Sequence, residues 1–231
     1  MGLSGGKIEK NKSVPKQQLP HSTSPFRNMY FRTRYIFIML GLKLPTDPRW
    51  AKLVETNIEE ILTDHAWCEQ KAATNAITIV INNSELPELV NDLIALAKEE
   101  LEHFDQVHKL IQEFGYVLGR ERKDSYVNEL AKFLIKGGSR NAALVDRLLF
   151  SAMIEARSCE RFKVLSKNIK NERLAEFYNQ LMISEAGHYT MFIGYARKFG
   201  KDVDVDQRWN EWLNYEASVI ENYGKEVSVH G

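Results

Sequence analysis

Cysteine is nearly absent from this 231-residue chain: only Cys68 and Cys159 occur, and no Cys-x-x-Cys pair exists. A disulfide framework, a rubredoxin-type metal knot and an iron–sulfur cysteine set are excluded, and a reducing, cytoplasmic setting is expected. No apolar run approaches the ~18 residues of a membrane span, so no membrane association is expected. The N-terminus has neither the apolar stretch nor the small-residue cleavage site of a secretory signal. Position 6 is Gly, not Ser or Thr, which rules out the myristoylation pattern that Met1-Gly2 would open. Strand-like alternation is missing, as are flavin and nicotinamide glycine motifs. Net charge is zero, with 31 basic and 31 acidic residues, so no single sign dominates.

The charge is nevertheless unevenly placed. Residues 1–35 carry Lys7, Lys10, Lys12, Lys16, Arg27, Arg32 and Arg34 against Glu9 alone, a net +6 that the remainder must balance with −6. With prolines at 15, 20 and 25 and no apolar periodicity, this stretch reads as a disordered basic leader. Residues 28–42 are apolar and aromatic and lead into a single domain over 36–231. From Asp47, an N-cap followed by Pro48, helical spacing runs to Asn82-Asn83. A second helix, capped by Ser84, reaches Phe114 and stops at Gly115. A long connection over 116–139 contains a short helix near 125–136 and a Gly137-Gly138 break. A third helix covers 141–166 and a fourth 172–199, closed by Gly200. A final helix over 206–223 presents Trp209, Trp212, Leu213, Val219 and Ile220 on one face. Two hairpins of long helices joined by one long crossover define an all-α, ferritin-like four-helix bundle with an extra C-terminal helix.

Two of those helices carry the same short motif. Glu100-Leu-Glu-His103 and Glu185-Ala-Gly-His188 are both Glu-x-x-His, which sets a carboxylate and an imidazole on one helix face. Among 22 Glu and six His a single such spacing means little. Here the flanks repeat as well: His103-Phe104…Phe114-Gly115 matches His188-Tyr189…Phe199-Gly200 at a constant offset of 85. Each partner helix also supplies one glutamate, Glu69 and Glu155. Glu69 lies about 20 Å from its turn and Glu100 about 24 Å, so the two sit level. Glu155 and Glu185 are level in the same way.

One Glu from each of two helices and Glu-x-x-His from each of the other two is the donor set of di-iron and di-manganese carboxylate bundles. Four carboxylates offset the charge of two divalent ions and can bridge them, while two imidazoles complete a mixed O/N shell. Without metal the same carboxylates would be buried like charges, at large cost. The expected ligands are Glu69, Glu100, His103, Glu155, Glu185 and His188. Glu160, eight residues before Asn168, competes with Glu155 only from one end of the site and is kept as an outer residue. His65, one turn before Glu69, is a candidate for the outer shell or an ordinary buried histidine.

The segments Leu62–Ala73, Glu99–His103 and Met153–Arg161 together resemble the tRNA 2-methylthio-N6-isopentenyladenosine hydroxylases, over about residues 38–225. The resemblance implies a non-haem di-iron monooxygenase that adds one hydroxyl to the isopentenyl chain of the modified adenosine at position 37, beside the anticodon. It implies dioxygen as co-substrate and two iron ions on the six residues named above. With no electron-carrying cofactor motif in the chain, electrons must come from a separate reductase. A tRNA substrate needs phosphate contacts. Residues 116–147 carry seven basic against four acidic residues, and Arg120, Arg122, Lys123, Lys136 and Arg140 are the expected contacts. Competing readings are another ferritin-like di-metal oxidoreductase, peroxidase-like or catalase-like, and an iron-handling bundle. The oligomeric state is open at this point.

Overall fold

The computed structural model describes residues 1–2, 40–223 and 226–230. Beyond Met1 and Gly2, the basic leader expected over 1–35 lies outside the described residues, as does most of the apolar lead-in over 28–42.

The described chain is helical: α1 (Trp50–Glu55), α2 (Ile58–Asn82), α3 (Pro87–Glu113), α4 (Ser125–Leu130), α5 (Arg140–Asn168), α6 (Glu172–Phe199) and α7 (Val205–Tyr223), with one 3₁₀ turn at Ala131–Phe133. α2 pairs with α3 and α5 with α6, each through a short turn, and the 114–139 segment crosses between the hairpins. No helix among the described residues is long and apolar enough to cross a membrane.

The bundle follows from heptad-like burial. On α3 the buried positions Leu89, Leu93, Leu96, Glu100, His103, Val107 and Leu110 alternate steps of four and three. On α6 the series Leu174, Tyr178, Leu181, Glu185, His188, Phe192 and Tyr195 does the same. Such a seam faces the partner helices of a bundle. The polar pairs thus occupy core positions, where only mutual partners or bound ions satisfy them.

Helix boundaries depart from the sequence reading at three places. The first long helix is broken at Thr56-Asn57. There the Thr56 hydroxyl and the Asn57 amide both donate to the Leu53 carbonyl, at 2.9 and 2.8 Å, which removes a helical acceptor. Ser84 does not cap α3; Leu86 holds the N-cap position and Pro87 sits in the first turn, where its missing N–H costs nothing. α1 begins after Arg49, which makes no side-chain cap bond, and not at the expected Asp47 cap; α5 and α6 are capped by side chains, Ser139 accepting from Ala142 N–H and Asn171 from Leu174 N–H, both at 3.0 Å.

Gly115 ends α3 with φ +77°, and Tyr116 N–H returns to the Ile111 carbonyl at 2.9 Å, the six-to-one bond of a Schellman turn. A Cβ there would meet nothing within 4 Å. Gly115→Ala is therefore expected to cost only the left-handed backbone strain, about 1 kcal/mol, read as a lower denaturation midpoint. A loss several times larger would mean the turn carries packing not seen here.

α7 lies across α5 and α4 with all five expected apolar residues buried. Two polar hubs fasten it. Asp146 accepts from Ile135 N–H (2.7 Å), Arg208 Nε (2.8 Å) and Trp212 Nε1 (2.9 Å). Glu216 accepts from Arg157 (2.6 Å) and Tyr126 (3.1 Å).

Candidate metal centre

The six side chains singled out by the sequence converge inside the bundle in two overlapping groups. Glu69, Glu100, His103 and Glu185 each offer a donor atom, all within 4.8 Å of one another. Glu100, Glu155, Glu185 and His188 do the same. Glu100 and Glu185 belong to both groups; Glu69 and Glu155 each belong to one. All six are buried.

Both imidazoles turn Nδ1 inward. His103 Nδ1 lies 3.2 Å from Glu100, 3.6 Å from Glu69 and 4.0 Å from Glu185. His188 Nδ1 lies 3.1 Å from Glu100, 3.6 Å from Glu185 and 4.0 Å from Glu155. The ring centroids are 6.0 Å apart. Glu100 Oε1, Glu185 Oε1 and both ring nitrogens of His188 are buried without a hydrogen bond among the described residues. Buried polar atoms are normally satisfied; Glu100, Glu185 and His188 each offer an atom to one donor group within 4.8 Å, while His188 Nε2 faces outward toward Glu99. The donor set therefore fits two hard-to-borderline cations with mixed oxygen and nitrogen ligands.

The electrostatics agree. Burial pushes Glu155 far above the carboxylate range, and the neighbouring Glu185 adds to it. Burial likewise raises Glu100, with Glu69 contributing. Burial alone would depress His103, but its bonds to Glu100 and Glu69 outweigh that and lift it to about 10. His188 is raised in the same sense, Glu100 leading among the carboxylates that overcome burial. Protons are thus held where cations would neutralise the carboxylates, so metal binding at this centre releases protons.

Outer contacts fix the inner groups. His65, fully buried, places Nε2 2.6 Å from Glu69 Oε1. Burial lowers its pKa to about 3, so the ring is neutral and donates from Nε2. It packs against Phe162 and Tyr178 at 4.8 and 5.6 Å. Glu160 turns away from the cluster: it accepts from Thr46 N–H (2.9 Å), the Thr46 hydroxyl (2.5 Å) and Arg157 (2.9 Å). The expectation that Glu160 stands beside the metal ligands is corrected accordingly. Its two oxygens are consumed in fastening the N-terminal segment to α5. Cys159 donates to the Met182 carbonyl at 3.3 Å, a packing role.

Glu99 was not anticipated. Its Oε1 lies 3.8 Å from His103 Nε2 and 3.4 Å from His188 Nε2, and the Ser184 hydroxyl donates to it. Proximity to His188 first, then Ser184, holds its carboxyl at about 2 against partial burial. One carboxylate thus spans the outer nitrogens of both imidazoles. The signal was present, since Glu99 sits one helical turn before His103, but nothing local marks it apart from Glu100 or Glu102. Losing such an outer partner typically weakens metal affinity 10–100-fold. Glu99→Ala is expected to do so for both bound ions in a competitive chelator titration; an unchanged affinity would leave Glu99 as surface charge.

The expected RNA contacts are in differing states, and Arg122 and Arg140 lie beside opposite ends of α2. Arg122 pairs with Glu60 at 3.3 Å, and Arg140 with Glu85 at 2.7 Å. Arg120, Lys123 and Lys136 are exposed.

Comparison with known proteins gives a consistent picture. Residues 36–231 match the sequence pattern of the tRNA-(ms2io6A)-hydroxylase (MiaE) family. A tRNA 2-(methylsulfanyl)-N(6)-isopentenyladenosine(37) hydroxylase of Pseudomonas putida is 32% identical over 189 residues, spanning 82% of this chain and 91% of that protein. The enzyme of the same description from Salmonella typhimurium is 28% identical, spanning 82% and 87%. Among solved structures, a Synechococcus protein described as having aldehyde deformylating oxygenase activity superposes with a TM-score of 0.76. It is 31% identical and covers 82% of this chain and 95% of that one.

Proposed function

Because this chain belongs to the tRNA-(ms2io6A)-hydroxylase family, we propose that it hydroxylates the isopentenyl group of 2-methylthio-N6-isopentenyladenosine at position 37 of tRNA, at a di-iron centre in the bundle core. The observation that carries this reading is the pair of donor groups sharing Glu100 and Glu185. One Glu from each of two helices and Glu-x-x-His from each of the other two is the donor set such bundles use. We assign Glu69 and His103 to one ion, Glu155 and His188 to the other, and Glu100 and Glu185 to both.

When bound, the two ions supply the activation of dioxygen that a hydroxylation of an unactivated C–H bond requires. The chain's own residues do the rest. Glu100 and Glu185 would each offer a carboxylate to both ions. His65 orients Glu69 through its Nε2–H, and the Glu99 carboxylate stands within 3.8 Å of the outer nitrogen of both imidazoles. The buried seam above and below the ligands keeps bulk water from the reacting centre. One oxygen atom enters the substrate and the other leaves as water, which consumes two electrons and two protons. The sequence carries no electron-transfer cofactor motif, so the electrons come from an external reductase. A tRNA substrate places the reaction in the cytoplasm.

Docking of the anticodon arm draws on the exposed Arg120, Lys123 and Lys136. Arg122 and Arg140 would first have to leave their acidic partners. Replacing those three with Glu is expected to lower tRNA affinity at least tenfold and to flatten its salt dependence; unchanged binding would move the docking face elsewhere. A second reading, deformylating oxygenation of an aldehyde, is favoured by the likeness to the Synechococcus structure. Iron-loaded protein with a chemical reductant separates the two. Gain of one oxygen on the modified adenosine of tRNA supports the first reading. Conversion of the aldehyde, with the tRNA untouched, supports the second.

A further inference from the structure

A cavity of about 320 Å³ opens between α2 and α5 beneath the crossover. Its floor includes Glu155, which is also a member of the metal-binding cluster. No residue of α3 or α6 lines it. It therefore reaches the centre from the side of the single-glutamate helices, opposite the helices that supply both histidines. Much of its wall is apolar, formed by Ala72, Val127, Ala131, Phe150 and Ile154, while Cys68, Asp124, Asn128 and His230 also line it. A ligand site of this kind is an apolar slot with a few polar groups that fix orientation.

Two polar groups on the wall have unmet hydrogen-bonding or charge capacity among the described residues. Asn75 donates from Nδ2 to Ser151 Oγ at 2.9 Å, and Ser151 donates onward to the Arg147 carbonyl at 3.1 Å. That chain fixes the amide orientation and leaves Asn75 Oδ1 buried without a donor. A buried acceptor left unmatched is costly, and an incoming N–H would satisfy it. The second group is the Arg147 guanidinium, which sits over the Phe150 ring at 5.2 Å. No carboxylate pairs with it among the described residues. Burial lowers its pKa, and no acid acts to restore it. Lys71, on the same rim, is by contrast already committed to Glu121 (3.0 Å) and to the Arg122 carbonyl (3.1 Å).

We propose that this cavity seats the prenylated adenine, with the alkyl tail directed at Glu155, the exocyclic N6–H donating to Asn75 Oδ1, and Arg147 holding a nucleotide phosphate at the rim. The assignment rests on the tRNA reading above and names the recognition residues that reading lacks. N6 of a monoalkylated adenine keeps one hydrogen, which matches the single free acceptor. A half-buried arginine without a carboxylate partner is suited to a phosphate oxygen, which it can engage through two parallel N–H donors. The ring of Phe150 holds that guanidinium flat. Seated this way, the alkyl tail is the part of the substrate nearest the ions, as hydroxylation of that tail requires.

The test compares equilibrium binding of two anticodon stem-loops to metal-loaded protein, one carrying the isopentenyl group on adenosine 37 and one without it. Wild type is expected to prefer the prenylated RNA. Arg147→Ala should weaken both RNAs about tenfold or more and reduce the slope of log K against log salt by about one. Asn75→Leu should weaken both without changing that slope. Ala72→Trp, which fills the apolar wall, should erase the preference for the prenylated RNA while two ions per chain remain bound. Unaltered binding and slope in Arg147→Ala, or a preference that survives Ala72→Trp, would overturn the proposal. The tRNA reading fails separately, if wild type oxygenates neither the prenylated stem-loop nor full-length tRNA.

Discussion

Glu185→Ala is expected to abolish hydroxylation, by about a thousandfold or more, well beyond the roughly 10–100-fold that follows loss of an outer partner. Glu185 is the only α6 carboxylate in the cluster and belongs to both donor groups, so its removal takes one ligand from each ion at once. Metal content should fall from two ions per chain to one or fewer. The fold should survive, because the metal-free centre is strained by the carboxylates themselves: burial and the neighbouring Glu185 together drive Glu155 upward. Deleting Glu185 relieves that repulsion, so the metal-free variant should melt no lower than metal-free wild type. A variant that binds two ions and turns over normally would contradict the shared role of Glu185. One that loses activity through unfolding would show up in the melting curve first.

The largest effect on stability is expected at Arg157, which is not a member of either donor group of the metal centre. This fully buried guanidinium binds Glu216 (2.6 Å), Glu160 (2.9 Å) and the Leu44 carbonyl (3.1 Å). It thereby ties α7, α5 and the segment preceding α1 together. Removing one member of a buried ion network strands the others, at a typical cost of 3–5 kcal/mol. Arg157→Ala leaves two buried carboxylates without their common partner and is expected to lose about that much in chemical denaturation. Replacing Arg157 and Glu216 together by Met and Leu should recover part of the loss, since it removes one of the two stranded charges and the other, Glu160, keeps both donors from Thr46. If Arg157→Ala costs under about 1 kcal/mol, the network is as weak as a surface pair, and the attachment of α7 rests on Trp212 and its apolar neighbours.

Legibility in the sequence divides along a physical line. Whatever depends on spacing within one helix was readable. Glu100/His103 and Glu185/His188 lie at heptad-like core positions, and the offset of 85 marks the two hairpins as equivalents. Gly115 announced its turn because a helix end of this kind takes a left-handed residue. What depends on a partner from elsewhere in the chain was not readable. Glu160 looked like a metal neighbour from its register, but Thr46 and Arg157, distant in sequence or facing another side, claim both its oxygens. Arg122 and Arg140 looked free for RNA, yet Glu60 and Glu85 stand beside them in space. Glu99 looked like one more acid on a charged helix, although α6 brings His188 to it. The sequence left open which carboxylates are shared. In space it is Glu100 and Glu185, and not Glu69 and Glu155, that belong to both donor groups. The break at Thr56-Asn57 is an intermediate case: a local competition between side chain and backbone, weak enough that helical spacing hides it.

The central claim is that this paired glutamate–histidine core hydroxylates a prenylated adenosine in tRNA. Its most direct test is nucleoside mass spectrometry of total tRNA from cells lacking the gene, complemented with wild type or with Glu185→Ala. The modified adenosine should lose one oxygen atom on deletion and regain it only with wild type. A nucleoside profile identical in all three strains would contradict the claim and leave a di-metal bundle whose substrate lies elsewhere.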